Sequence, residues 1–278
     1  MQKILIPTDF SELGDFAYTV ATHLAKATGA KIMALSVLNG PPGAMYTNDG
    51  QLINDEGEDY SEWNKRLNEN KEKMQAWISG KEDIVDSRCF IGNIDETILR
   101  CSEEHNVDLI VMGTHGLFMK SMWTPGSHTE YVTNHSSVPV LSLKCDRSDI
   151  DLSEIVFVSD FLEDQKVDLS VLKTIQKAYN AKLLLLKVLT SKENRTQEQI
   201  KQDMTSFVES NEVENYEMHT YSDDNVEGGI GKFCAEKDID LIVLGTHQTR
   251  GFSKLFKHSV SDDVVNHLYH PILTFPIQ

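Results

Sequence analysis

Basic residues are scarce in this chain. It has 26 Lys and Arg against 43 Asp and Glu, a formal net charge of −17. Polyanions are held by concentrated Lys and Arg, so this balance argues against nucleic acid as a partner. A free nucleotide stays open, because backbone N–H groups can hold its phosphates. Cysteine is also scarce. Cys89, Cys101, Cys145 and Cys234 lie far apart with no CxxC pair. Disulfide and zinc frameworks need closer or repeated spacing, so reduced thiols are expected. No apolar run approaches the roughly 20 residues that span a bilayer, and no membrane partner is expected. The chain opens on a strand pattern, Lys3-Ile4-Leu5-Ile6, without a basic n-region, apolar h-region or cleavage site. A cytoplasmic location is the expectation.

Catalytic signatures are missing as well. The sequence has no GxxxxGK[ST], no GxSxG and no HExxH. His128, His135, His258, His267 and His270 show no metal-ligand spacing. No nucleophile–base constellation is visible, and no catalytic residue is nominated.

What the chain does have is a repeat. Asp-Leu-Ile-Val-Met-Gly-Thr-His at 108–115 returns as Asp-Leu-Ile-Val-Leu-Gly-Thr-His at 240–247, an offset of 132. This offset holds without a gap from 93 and 225 through 139 and 271. Upstream, 4–10 matches 155–161 at an offset of 151. The 19-residue difference falls around 40–65, a longer connection in the first half. Its acidic part, 49–62, is expected to be a solvated loop. Two domains follow, 1–147 and 148–278, each of ordinary size.

Apolar runs alternate with helical spacing in both halves. Strands are expected at 3–7, 31–38, 86–91, 108–112 and 138–143, then at 154–158, 182–189, 217–221, 240–244 and 271–275. Their Ile, Val and Leu do not alternate with polar residues, so both faces are buried, as in a parallel sheet covered by helices. Helices are expected over 12–28, with Ser11 as N-cap, over 61–78, after a cap at Asn93, and over 127–135. Trp63, Leu67, Met74 and Trp77 form a core stripe on the second. The fold class is α/β, with two tandem doubly wound five-stranded parallel-sheet domains. Ligands of such sheets bind beyond the carboxyl ends of the strands, where the strand order reverses. That rule points to Asp9, Asn39, Gly113 and the loop after it.

The loop reads Gly113-Thr114-His115-Gly116, nine residues, then Gly126-Ser127. Glycines let backbone approach a ligand, and the start of a helix offers free N–H groups and a positive dipole end. The pattern is that of an anion cradle. In spacing it resembles the Gly-x2-Gly-x9-Gly-Ser/Thr signature of the universal stress protein family. The strand ending in Asp9, the 108–115 block and the final Pro-Val-Leu strand resemble that family too, over both halves.

The resemblance implies an adenine nucleotide alpha hydrolase-like fold that holds ATP, with Mg²⁺. It implies that Asp9 accepts a hydrogen bond from the adenine amino group and that Pro7 and Thr8 wall the pocket. Val37 would face adenine, and Met112 and Gly113 would lie beside the ribose. Gly116, Gly126, Ser127 and the N–H of His128 would hold phosphates. His115 lies within the loop and counts with it, although its return as His247 gives it a structural job.

The second half departs from the pattern. It reads Gly245-Thr246-His247-Gln248, nine residues, then His258-Ser259, which puts side chains where Gly116 and Gly126 stand. The first half carries Leu117 where family loops often have Arg, which weakens hydrolysis more than binding. The expected function is an ATP-binding stress-response or signalling protein, its nucleotide held by the N-terminal domain. The C-terminal domain would be structural or regulatory. A weak ATPase using the same site and a scaffold with a vestigial site are the alternatives. Family domains pair through their last strands, so 138–143 is expected beside 271–275 as an intramolecular pseudo-dimer. Higher assembly, a homodimer included, is not written in the sequence.

Overall fold

The structure is a computed structural model that describes residues 1–41, 47, 52–53, 60–113, 128–143, 150–162, 167–247 and 270–277. The first half runs β1 (Lys3–Pro7), α1 (Glu12–Thr28), β2 (Lys31–Asn39), α2 (Ser61–Ile78), β3 (Ile84–Gly92), α3 (Ile94–Glu104), β4 (Leu109–Gly113), α4 (His128–His135) and β5 (Val140–Leu143). The second runs β6 (Glu154–Val158), α5 (Ser170–Tyr179), β7 (Lys182–Leu189), α6 (Gln197–Ser210), β8 (Tyr216–Ser222), α7 (Val226–Lys237), β9 (Leu241–His247) and β10 (Ile272–Ile277).

Local sequence explains the element ends. Helix α1 turns Ala17, Val20, Ala21 and Leu24 inward and stops at Gly29, which is left-handed (φ 79°) and closes on the Ala25 carbonyl. Asn93 caps α3 by accepting from the Glu96 N–H. Thr196 and Gln199 form a full capping box on α6. Ser11 occupies the N-cap position of α1 but makes no capping hydrogen bond, against expectation. Instead its own N–H donates to Asp9 Oδ1 at 3.0 Å. The expected acidic loop shrinks at its end, since Ser61 and Glu62 already belong to α2; most of 49–62 lies outside the described residues.

All ten strands form one sheet in the order β3-β2-β1-β4-β5-β10-β9-β6-β7-β8. Within each half the neighbours are parallel. The halves meet where β5 and β10 pair antiparallel, with Ser142, Leu141 and Val140 opposite Ile272, Leu273 and Thr274. Thr274 Oγ1 adds a hydrogen bond to the Val140 carbonyl at 3.1 Å. This is the expected pairing of last strands.

One face of the sheet carries a single apolar layer that runs through both halves. It includes Val20 and Leu24 of α1, Leu141 of β5, Phe157 of β6, Ile175 of α5 and Leu273 and Phe275 of β10. Helices α1 and α5 pack on each other across the join. The other face has one cluster per half. Burial pushes the thiols of Cys101 and Cys234 up to about 12 and that of Cys89 to about 11, so none is a thiolate near neutrality.

A layer shared by both halves implies one cooperative unfolding unit. Trp63, Trp77 and Trp123 all lie in the first half, whereas far-ultraviolet circular dichroism reads both. Denaturant curves from the two signals are expected to coincide. Two separated transitions would show halves that fold independently.

Candidate functional site

The strand order reverses between β1 and β4, and the chain leaves β1 there through a tight turn. Thr8, buried, donates its N–H to the Leu35 carbonyl at 2.8 Å, which ties the turn to β2. Its Oγ1 accepts from the Phe10 N–H at 2.9 Å. Phe10 is left-handed (φ 65°), so the chain reverses sharply into α1. Gly14 lies so close that a Cβ there would come 2.4 Å from Thr8 Oγ1. On the other side, a Cβ on Gly113 would meet the Leu13 carbonyl oxygen at 2.6 Å. The first turn of α1 is therefore wedged between the ends of β1 and β4. This gives Gly113 a packing reason that the loop pattern did not supply.

A cavity of about 220 Å³ opens beside this turn. Asp9 and Phe10 line it from the turn, Ser36, Val37 and Leu38 from β2, and Arg66, Glu69, Asn70 and Lys73 from α2. Asp9 and Val37 are thus brought together as expected. Pro7 ends β1 opposite Leu35, and Met112 is buried in β4. Neither they, Thr8 nor Gly113 lines this cavity.

His128 begins α4, and its Nδ1 lies 2.7 Å from Asp95 Oδ1 at the start of α3. This link joins the starts of two helices. His115, Gly116, Gly126 and Ser127 lie outside the described residues, as do Gln248, His258 and Ser259 of the second half.

The four α2 residues on the cavity were not singled out from the sequence. Asn70 follows Leu67 by three residues and precedes Met74 by four, inside the buried stripe, and that position was its available signal. Arg66 sits over the Trp63 ring, 4.4 Å from its centroid. Two cations on the rim stand out in a chain this acidic.

The second half keeps the frame and fills the space. Ser159 repeats Thr8: its N–H reaches the Leu186 carbonyl, its Oγ accepts from Phe161, and Phe161 is again left-handed. The next residue on β7, Lys187, therefore stands where Ser36 stands. Its side chain is 8% exposed and pairs with Asp160, the counterpart of Asp9, and with Glu193 at 3.0 Å. Arg195 closes the group. It bonds Glu193 and Asp203 at 3.0 and 2.9 Å and donates to the Asp160 main-chain carbonyl at 3.0 Å. The Arg195 hydrogen bond, with help from Lys187, holds the Glu193 carboxyl well below the usual carboxylate range. The sequence signal was a lysine inside the apolar run Leu-Leu-Leu-Leu-Lys-Val-Leu.

Two stability measurements follow. Lys187→Ser, which installs the first half's residue, leaves the partly buried Glu193 to Arg195 alone and should cost about 1 kcal/mol in urea unfolding at pH 7. The cost should shrink as pH falls below the ordinary glutamate range, because the stability drawn from a depressed Glu193 is lost there. A Lys187→Ser protein as stable as the parent would remove the network's structural role. Glu227 on α7 gives the opposite slope. It is buried, and burial pushes its carboxyl up to about 7. The folded chain holds that proton more tightly than the unfolded one, so stability should fall as pH rises from about 4.5 to about 7. Glu227→Gln should flatten this slope and stabilise the protein by about 2 kcal/mol at pH 8. An unchanged slope would contradict it.

Comparisons with known proteins agree with the repeat. A family model, that of the universal stress protein family, matches residues 1–144 and again 147–276. A universal stress protein of Methanocaldococcus jannaschii is 29% identical over 153 residues, 51% of this chain and 94% of that protein. A Staphylococcus aureus protein named for the same family is 26% identical over 163 residues, 58% of this chain and 95% of that protein. The crystal structure of a universal stress protein from Archaeoglobus fulgidus superposes with a TM-score of 0.67 at 21% identity, covering 98% of this chain and 95% of that one. At that identity the likeness is one of fold. Two adjoining matches that together span almost the whole sequence mean that the chain belongs to the universal stress protein family and carries the family's domain twice in tandem.

Proposed function

We propose that this protein binds ATP in its first half, 1–147, and works as a stress-response signalling module. The second half, 148–278, completes the sheet and has given up the pocket. One observation carries the reading. At the place where the strand order reverses, the first half has a cavity edged by Asp9 and Val37, and the second half has an ion-pair network built on the buried Lys187.

The lining suits an adenine nucleotide. Val37 and Leu38 offer an apolar wall, Asp9 an acceptor for an amino group, and Arg66 and Lys73 positive charge near a polyphosphate. The phosphates, with Mg²⁺, would fall to Gly116, Gly126, Ser127 and the N–H of His128, in the loop that β4 launches. The nucleotide state of this site would bias the binding of a partner. Of the chain's residues, the Asp9 carboxylate orients the base and the α2 cations offset phosphate charge.

Calorimetric titration of the full-length protein tests this. The parent should bind ATP. Gly116→Gln, which copies the second half's Gln248, should abolish binding by placing a side chain where backbone meets phosphate. Asp9→Ala should weaken binding about tenfold, the worth of one charge-assisted hydrogen bond, and lower stability by about 1 kcal/mol through the lost Ser11 contact. A parent that binds no ATP, or a Gly116→Gln protein with unchanged affinity, would refute the assignment.

A further inference from the structure

The ten-stranded sheet ends on β3 at one side and on β8 at the other. An end strand turns a row of main-chain N–H and C=O groups outward, ready to pair with another strand. Among the described residues β3 has β2 as its one strand neighbour. It runs nine residues, Ile84–Gly92, which is long for an edge. Its start bulges. Ile84 and Asp86 face the consecutive residues Ile32 and Met33 of β2, so Val85 is an extra residue, and it is 60% exposed. From Asp86 to Gly92 the register is regular.

The two edges use their polar groups differently. On β8, Glu217 meets Lys182 of β7 at 2.6 Å and His219 at 3.2 Å, and the Tyr221 hydroxyl donates to Glu236 at 2.7 Å. Those groups are spent within their own half. On β3, Asp86 and Arg88 are the only charged residues of the strand. Two residues apart, they share one face of the sheet, and their side chains are 40% and 47% exposed. Arg88 Nη2 donates to Asp86 Oδ2 at 3.3 Å, which uses one arm of a five-donor fork. Edge charges of one sign repel a second copy of the same strand. An acid and a base at this spacing can attract one.

We infer that β3 is a homodimer contact: it pairs antiparallel with β3 of a second copy of this chain, with Ser87 opposite Ser87. A two-fold axis through an antiparallel pair sets one residue opposite itself. Centred on Asp86 the pair opposes two acids, and centred on Arg88 it opposes two bases. Centred on Ser87 it sets Asp86 opposite the partner's Arg88 and Arg88 opposite the partner's Asp86, so one register forms two ion pairs. Each guanidinium then lies between its own carboxylate and the partner's. Asp86, Ser87 and Arg88 begin just past the bulge, and they match in length the three residues from each strand that join β5 to β10. Chains of net charge −17 repel one another, and a self-contact needs a place where the surface is locally neutral. On β3 one acid and one base cancel. The inference is independent of what the cavity beside Asp9 binds.

Sedimentation velocity of the full chain over a concentration series tests this. The parent should pass from monomer to dimer as concentration rises. Arg88→Glu sets acid against acid twice and should weaken the dimer by about tenfold or more. The double variant Asp86→Arg with Arg88→Asp restores opposite charges in the same register and should recover the parent's dimer. Ser87→Cys reads the register itself. Facing Cβ atoms of an antiparallel pair lie about 5 Å apart, a small shift from disulfide reach, so diamide should cross-link this variant into a reducible dimer. The parent should not cross-link under the same treatment, because its Cys89 faces the partner's Val85. Three results overturn the inference: a parent that stays monomeric at every concentration, a dimer that Arg88→Glu leaves unchanged, or a dimeric Ser87→Cys protein that does not cross-link.

Discussion

A sheet that ends on a bare strand leaves a row of N–H and C=O groups without partners, and each half of this chain would end that way at its fifth strand. Pairing β5 with β10 covers both edges at once. The contact is short, but it lies over an apolar layer that continues from Val20 and Leu24 through Leu141 and Leu273 to Ile175. Strand pairing and core burial therefore act together, and neither half has a complete core on that face without the other. The join also places β4 and β9 one strand in from the centre, so both strand-order reversals stand on rigid, doubly flanked elements.

On that common frame the two halves make opposite use of one space. The second half fills it with Lys187 and Arg195 and satisfies them with Asp160, Glu193 and Asp203. A buried charge is tolerable only when paired and hydrogen-bonded, and here each cation has two acidic partners. The first half leaves a cavity edged by Asp9, Val37 and the polar residues of α2. One arrangement pairs its own charges, and the other leaves its space open. This contrast does not depend on the glycine loops, so the asymmetry between halves has two separate sources: Gln248 and His258 in the sequence, and the ion-pair network in the structure.

The frame was legible from the sequence because its signals are local or periodic. The repeat at 108–115 and 240–247, the unbroken apolar strands and the cap at Asn93 all express themselves within a few residues. The pairing of β5 with β10 followed from the family resemblance and the need to cover edges. Of the candidate site, the strand rule reached Asp9 and the resemblance added Val37, and both line the cavity, whereas Asn39 and Gly113 do not. The α2 wall was not legible, since the long connection between β2 and α2, spanning positions 40–60, gives no register for α2 against β2, and Asn70 reads as one polar residue among many. Lys187 was overlooked for a similar reason. Its partner Asp160 is 27 residues away, and a lone lysine in an apolar strand looks like a residue on a solvated edge. Gly113 was read for its openness to ligand, whereas its missing side chain makes room for Leu13, a contact 100 residues away in sequence.

The most direct measurement of the central claim is nucleotide stoichiometry. The purified full-length chain is saturated with ATP, freed of excess by gel filtration and denatured, and the released nucleotide is counted per chain. One ATP per chain is the predicted result, because among the described residues the cavity beside Asp9 has its second-half counterpart occupied by Lys187 and Arg195. Two per chain would mean that the Lys187 and Arg195 network does not close the second half, and none would mean that the cavity beside Asp9 is not a nucleotide site.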